Sequence, residues 1–350
     1  MIGRRRVHTR RVRLGENERP RTTRRHIMST TTTTTSRARE LVRRARCVML
    51  EPSCATKAAM TADTHRWWFN RRDDDDDGGA APPSTSGGGF AYDDPRADDV
   101  VDDPVRDDSS RVVDPSRTKR LGNGGTVQSR IAICHSLASI ESWAMILAWD
   151  CIQRFGEARS MPEEFYDDFV NLAADEGRHF TLLSERLNAM GSSYGALETH
   201  DGLWRTARET AASCEARLVV EHCVHEARGL DVLPTTIDKF QRHGDEETAR
   251  LLERVVYPEE ITHCASGLRW FKYLYFRDGR GREEMKSEGG GGEETATSGV
   301  VTAFHDIVRT YFHGALKPPF NDDARARAGF TPAWYLPLAE KPFREETSTA

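Results

Sequence analysis

A repeated spacing of glutamate and histidine constrains the fold of this chain more than any other feature of its sequence. The motif Glu-x-x-His occurs twice, and a single glutamate precedes each copy, by 35 residues in the first case and by 34 in the second. In a helix, residues three positions apart share one face, so each motif directs a carboxylate and an imidazole toward one place. The spacing therefore predicts two copies of a helix pair. The six residues are Glu141, Glu176, His179, Glu226, Glu260 and His263.

Each of these glutamates interrupts an apolar helical stripe, which is the pattern of a helix face that packs into a core. In ferritin-like di-metal proteins, two helices each give one inward glutamate and two others each give an inward Glu-x-x-His motif. The sequence has this order of ligands. We therefore expect an all-α fold, with a ferritin-like antiparallel four-helix bundle over residues 117–278 and peripheral helices around it.

The four bundle helices are predicted from their periodicity and from their capping residues. The second is predicted to open at Ser160, as an N-cap that forms a capping box with Glu163. Pro258 lies inside the fourth and predicts a kink, because proline removes a backbone donor and clashes with the preceding turn. The four segments cover 127–156, 160–191, 201–229 and 245–276, with a short helix over 234–243.

The charge of the six residues predicts a metal site. Four buried carboxylates would repel one another, and each would cost several kcal/mol without a partner. Four carboxylates and two imidazoles carry a formal charge of −4, which two divalent cations balance. Mixed oxygen and nitrogen ligands suit iron, our first choice, or manganese. The alternative is that these side chains are solvated or are ordinary polar residues of a helical core.

Two further residues are candidates for contacts around the metal ligands. His222 lies one turn before Glu226 on the same face, and Asp175 lies four residues before His179. Ligand histidines usually donate their second N–H to an outer partner, which Asp175 could supply. A core histidine and a surface carboxylate are the respective alternatives. Asp150 is out of phase with Glu141 and is predicted to face away from the site.

Composition separates this bundle from the rest of the chain. With 37% hydrophobic and 30% charged residues, the chain can fill one core but not its whole length. The low-complexity segments are expected to lack regular structure. We predict a basic disordered extension over 1–36, a peripheral helical segment over 37–71, an Asp/Gly/Pro-rich linker over 72–116, an insertion over 279–298 and a C-terminal helix and tail over 299–340.

Cysteine usage and hydropathy bear on the compartment. The seven cysteines form no CxxC motif, which favours buried free thiols in a reducing compartment. We expect a soluble protein with no membrane contact, because no run of about 18 apolar residues occurs. The first 36 residues have the composition of a transit peptide, which would direct the chain to a mitochondrial or plastid matrix. A solvated basic tail, or a start at Met28, would instead leave the protein in the cytoplasm.

Longer motifs add a family resemblance over about 38–60 and 115–338. The segments Ala174-Asp-Glu-Gly-Arg-His-Phe180, Glu226-Ala-Arg-Gly-Leu-Asp-Val232 and Lys317-Pro-Pro-Phe-Asn321 are the most specific. With them the chain resembles the ferritin-like family called domain of unknown function 455. The resemblance implies the ferritin-like fold and a di-metal site, but no reaction. The layout is more distantly similar to ferritin-like tRNA hydroxylases. Because no basic face interleaved with aromatics is visible, nucleic acid is not an expected partner.

Three functions remain open at this stage. The first is an O2-activating di-iron oxidase or hydroxylase, an oxidoreductase whose partners would be O2 and a small-molecule substrate that the sequence does not identify. The second is a metal-binding or iron-handling bundle without catalysis. The third is a metal-free scaffold. The sequence predicts no oligomeric state.

Overall fold

The structure is a computed structural model that describes most of the chain. The chain divides into two compact units, Met1–Arg37 and Ala38–Ala350. In the first unit, the described part is helical from Arg24 onward. All other features below belong to the second unit. The described residues are 24–70, 89–106, 112–279, 292–313 and 315–339.

Regular structure in the described residues is almost entirely helical, so the predicted all-α class is confirmed. A single pair of two-residue strands, β1 (Val112–Val113) and β2 (Thr199–His200), runs parallel. The helices are α1 (Arg24–Leu50), α2 (Cys54–Phe69), α3 (Val127–Cys151), α4 (Glu163–Ala189), α5 (Gly202–Glu209), α6 (Cys214–Val219), α7 (Glu226–Arg242), α8 (Glu246–Leu251), α9 (Tyr257–Arg277), α10 (Gly292–Tyr311), α11 (Asp322–Arg327) and α12 (Pro332–Ala339).

Helices α3 and α4 pack along each other at the centre of the core, α2 covers α4, and α7 packs on α9. Helix α4 buries one apolar stripe, whereas α3 is buried on all sides over its last eleven residues. By length and composition, the stretch Val127–Gly156 could cross a membrane, but 72% of its most apolar window is buried in the protein. This is the situation of a core helix, and the structure is compatible with a soluble protein.

The predicted start of the second bundle helix is wrong. Ser160 has a positive φ of 47° and does not cap the helix. Helix α4 instead begins at Glu163, with Pro162 at the N-cap and without a side-chain cap. The Ser160 N–H donates to the Glu157 carbonyl, so the turn after the preceding helix uses this residue. The predicted end is correct, since Met190 closes α4 and Gly191 follows with φ +80°.

The prediction of one continuous third helix that ends at Gly229 is also wrong. Two short helices, α5 and α6, replace its first part, and α7 then runs through Gly229 and Pro234, where the prediction ended one helix and began another. Pro234 has no N–H to donate to the Leu230 carbonyl one turn earlier. The Asn321 side chain donates to that carbonyl over 3.0 Å and so satisfies it. This long-range contact lets the helix continue.

Among the described residues, one π-helical turn ends α3 at Ile152–Gly156, and two others join successive α-helices at Val220–His225 and Leu252–Val256. The second directly precedes α7, and the third directly precedes α9, which has Pro258 in its first turn. Such turns are uncommon and are frequent at functional sites. The predicted kink at Pro258 stays a prediction, although the helical pattern does change immediately before it.

The peripheral segments contain more structure than their composition predicts. Helix α1 begins inside the predicted N-terminal extension, and α10 begins at Gly292, inside the predicted low-complexity insertion. In the predicted linker, residues 89–106 include a 3-10 turn, Pro95–Asp98, and bury Tyr92 and Val101 against the core. All seven cysteines are buried and free.

Candidate metal centre

The six predicted ligands lie together in the core as two overlapping groups. Within each group, one ligand-type atom from every residue lies within 4.8 Å of the others. Glu176 and Glu260 belong to both groups. The first group is Glu141, Glu176, His179 and Glu260; the second is Glu176, Glu226, Glu260 and His263.

Four helices position these side chains. Glu141 comes from the middle of α3, and the Glu176 motif comes from the middle of α4. Glu226 is the first residue of α7, directly after a π-helical turn. The Glu260 motif lies in the first two turns of α9. Glu226 is partly exposed, and the other five residues are buried.

Both histidines turn the same ring nitrogen toward the carboxylates. His263 Nδ1 lies 3.0 Å from Glu176 Oε1 and 3.8 Å from Glu260 Oε2. His179 Nδ1 lies 3.4 Å from Glu141 Oε2 and 3.5 Å from Glu176 Oε2. The two imidazole centroids are 6.0 Å apart. The Nδ1 atoms therefore face the centre of the cluster from its two ends.

The opposite nitrogens contact two carboxylates outside the cluster. His179 Nε2 lies 2.6 Å from Glu259 Oε2, and His263 Nε2 lies 3.4 Å from Asp175 Oδ2. Each of these acids directly precedes the glutamate of the other Glu-x-x-His motif, so the contacts cross between α4 and α9. Arg178 contacts both Asp175 and Glu259. An N–H donated outward fixes each ring and leaves Nδ1 available to a metal ion.

Asp175 thus contacts a histidine of the cluster, as the sequence suggested, although that histidine belongs to the other motif. Glu259 was missed by the sequence analysis. Its signal was present, since an acidic residue stands before the glutamate of both Glu-x-x-His motifs. The symmetry of the two motifs could have identified it.

The excess of negative charge dominates the electrostatics of the cluster. Burial and then the like charge of Glu176 raise the pKa of Glu141 well above its usual value, and burial followed by the charges of Glu260 and Glu176 does the same for Glu226. Burial would lower the pKa of both histidines, but the surrounding carboxylates raise it well above the ordinary value. Without cations, the cluster therefore retains protons to reduce its charge.

The donor set fits metal ions on direct structural grounds. Glu176 Oε2, His179 Nδ1 and His263 Nδ1 are buried, and although carboxylate oxygens lie near both nitrogens, none of the three atoms forms a hydrogen bond of normal geometry among the described residues. Buried polar atoms are normally satisfied, so three unpaired atoms in one cluster require an explanation. All three are of the type that coordinates a metal ion, and they face a common centre. The buried groups can hold metal ions, and no thiol of the chain takes part in them.

His222 and Asp150 have different surroundings. His222 is buried next to Phe169 but belongs to neither ligand group, and both of its ring nitrogens lack hydrogen-bond partners among the described residues. Burial lowers the pKa of His222 to about 3. Asp150 lies away from the cluster, as predicted from its helical phase, and forms a buried ion pair with Arg217.

A cavity of about 450 Å³ reaches the carboxylate side of the cluster. Its wall includes the four glutamates of the two groups but neither histidine, and most of the remaining wall is apolar. Ligand sites in proteins are commonly apolar cavities of roughly 300–1,000 Å³ with a few polar groups. The apolar lining residues are Leu137, Ile140, Ala144, Leu147, Leu203, Val232 and Leu233.

Fold and site together define an all-α protein with a core cluster of four carboxylates and two imidazoles that can hold metal ions. The chain belongs to the family described as Protein of unknown function (DUF455), whose model matches residues 50–336. It is 32% identical over 212 residues to an uncharacterized protein of Haemophilus influenzae, a match that spans 59% of this chain and 66% of that relative. No solved structure matches. The ferritin-like four-helix arrangement accordingly stays a prediction.

Proposed function

We propose that this chain is a ferritin-like, carboxylate-bridged di-iron protein that activates O2 to oxidise or hydroxylate a small molecule. The observation that carries the proposal is the set of three buried, unpaired ligand atoms inside a cluster of four carboxylates. A helical scaffold without metal has no reason to bury these atoms together. Charge repulsion and unmet hydrogen bonds would both oppose that arrangement.

The residues suit two ions of charge +2. Glu176 and Glu260, which belong to both groups, would bridge the ions, while Glu141 and Glu226 would each complete one end. His179 and His263 would each supply one nitrogen. A pair of iron ions, when bound, supplies the electrons that O2 reduction needs. Manganese has a similar ligand preference and is the second choice.

The protein side chains have distinct tasks in this proposal. Glu259 and Asp175 accept from the outer ring nitrogens, which holds each imidazole with Nδ1 toward the cluster. Burial of five of the six ligands excludes bulk water from the centre. The cavity would bring a substrate to the four glutamates of the cluster, which lie in its wall, and not to His179 or His263, which do not.

Metal content and reaction with O2 test the proposal together. The full chain is loaded with ferrous ion without oxygen, its iron is quantified, and O2 consumption and visible absorption are followed after mixing with O2. About two iron ions per chain, the number that this ligand arrangement holds, and a transient absorption are expected. Glu176→Ala and His263→Ala should abolish both, whereas the exposed control Glu253→Gln should not.

Two results would contradict the proposal at different levels. A chain that binds no metal is a scaffold. A chain that binds two ions but leaves O2 unconsumed is a metal-binding bundle without oxidase chemistry.

A further inference from the structure

One acidic side chain in the cavity wall has no part in the metal cluster. Glu221 lies in the π-helical turn Val220–His225 and is 1% exposed. It lines the same cavity of about 450 Å³ as Glu226. Neither of its carboxylate oxygens has a hydrogen-bond partner among the described residues. A buried carboxylate in this state lacks the donor that normally compensates its burial.

The nearby guanidinium does not supply that donor. Arg217 donates from Nε to the Thr210 hydroxyl, from one terminal nitrogen to Asp150 and from the other to the Ala207 carbonyl. Three of its five N–H groups therefore donate to other acceptors, and none donates to Glu221. Its charge still acts on Glu221 through space, but no hydrogen bond joins the two side chains.

The other polar neighbours of Glu221 are also engaged elsewhere. The Thr206 hydroxyl donates to the Leu203 carbonyl over 2.9 Å. His225 Nε2 lies 3.7 Å from Glu221 Oε2, which is beyond hydrogen-bond distance. Burial raises the pKa of Glu221 to about 7, against the opposing effects of Arg217 and Thr206.

A count of charges around the cavity isolates the same residue. Two divalent ions would balance the four glutamates of the metal cluster. The outer acids Asp175 and Glu259 both contact Arg178, and Asp150 contacts both Arg154 and Arg217. Arg228, which also lines the cavity, lies 3.9 Å from Asp231. Glu221 is then the acid in the cavity wall that is left without a bonded positive charge. A ligand with a cationic donor would supply that charge.

The remaining wall determines the rest of the ligand. Aliphatic side chains from α3 and α7 line most of the cavity, including Leu137, Leu147, Val232 and Leu233. Such a wall favours an alkyl chain, since its burial removes apolar surface from water. The cavity thus combines one carboxylate without a bonded cation, Glu221, with an extended apolar surface.

We propose that this cavity binds a small aliphatic primary amine, with its ammonium group on Glu221 and its alkyl chain along the apolar wall toward the metal cluster. The inference rests on the proposed function, because it assumes that metal ions balance the other four carboxylates. It names the substrate class for the same site. A neutral alcohol of equal length would fill the apolar part but would leave the charge of Glu221 unbalanced.

Binding to the zinc-loaded full chain tests this proposal without any O2 chemistry. Zinc content is first measured, and n-hexylamine and 1-hexanol are then titrated by calorimetry into the wild type, Glu221→Gln and the exposed control Glu253→Gln. We expect hexylamine to bind the wild type at least about tenfold more tightly than hexanol, since a hydrogen bond to a charged group typically has that effect. Glu221→Gln should remove this preference, and Glu253→Gln should keep it.

Several outcomes would overturn the proposal. Equal affinity of the wild type for amine and alcohol, or no binding of either, would do so even if Glu221→Gln failed to fold. Amine binding that survives Glu221→Gln would mean that the nitrogen binds zinc instead of the carboxylate. If the chain takes up zinc but shows any of these results, only the proposed amine site is contradicted. A chain that takes up no metal contradicts the proposed function as well.

Discussion

Glu259 offers the sharpest perturbation of the proposed metal cluster, because it contacts the proposed ligand His179 without being a proposed ligand itself. Its Oε2 atom lies 2.6 Å from His179 Nε2, on the side of the ring that faces away from the cluster. The change Glu259→Ala removes this acceptor and leaves all six proposed ligands in place. The imidazole then loses both its orientation and part of its basicity.

The expected size of the effect follows from the geometry of the two outer acids. Loss of an outer partner typically costs about 10–100-fold in metal affinity, or about 1.4–2.8 kcal/mol. Glu259 and Asp175 are similarly exposed, at 28% and 30%, so solvent screening does not distinguish them. The distance from each carboxylate to its histidine does distinguish them, because Glu259 lies 2.6 Å from His179 Nε2 and Asp175 lies 3.4 Å from His263 Nε2. We therefore expect the loss of metal affinity to lie near the upper end of this range for Glu259→Ala and near the lower end for Asp175→Ala.

Competition with a chromophoric chelator measures the affinity of each variant for zinc. Arg178→Ala is the necessary control, because Arg178 contacts both outer acids and is 43% exposed. Exposed ion pairs contribute little, so this change should lower the affinity less than threefold, roughly 0.6 kcal/mol. The reasoning is refuted if Glu259→Ala binds zinc within twofold of the wild type, or if Arg178→Ala alone reproduces the loss.

Three further predictions concern the core around the site. Gly267→Ala would press its Cβ into the His222 carbonyl, so urea unfolding should show a loss of at least about 1–3 kcal/mol. Asn321→Ala removes the donor to Leu230 that compensates Pro234, and the same assay should show a loss of about 1–2 kcal/mol. Because the metal-free cluster retains protons, metal binding should release them and weaken as pH falls; calorimetry in buffers of different ionisation enthalpy measures the release.

The grouping of the six residues was predictable because its signal lies within single helices. A Glu-x-x-His motif defines a helix face without any knowledge of the partner helix, and its repetition behind Glu141 and Glu226 supplied the rest. The structure brings all six residues together. The contacts of the two outer ring nitrogens were not predictable in the same way. Asp175 and Glu259 each contact a histidine on the other helix, and such contacts depend on how α4 and α9 align.

The two errors in the helix boundaries both come from relying on local preference. Ser160 and Pro234 have strong local preferences, for a cap and for a break, and both predictions relied on those preferences alone. In the structure, Ser160 forms part of a turn, and Asn321, far away in sequence, satisfies the carbonyl that Pro234 leaves free. Local propensity is a weak guide wherever a distant residue can provide the missing hydrogen bond.

The central claim is that six side chains from four helices hold two metal ions, and anomalous diffraction from crystals of the metal-loaded chain tests it most directly. The account predicts two anomalous peaks, one within each ligand group, with Glu176 and Glu260 in contact with both. A single peak elsewhere on the chain, or no peak within this cluster after loading, would contradict it.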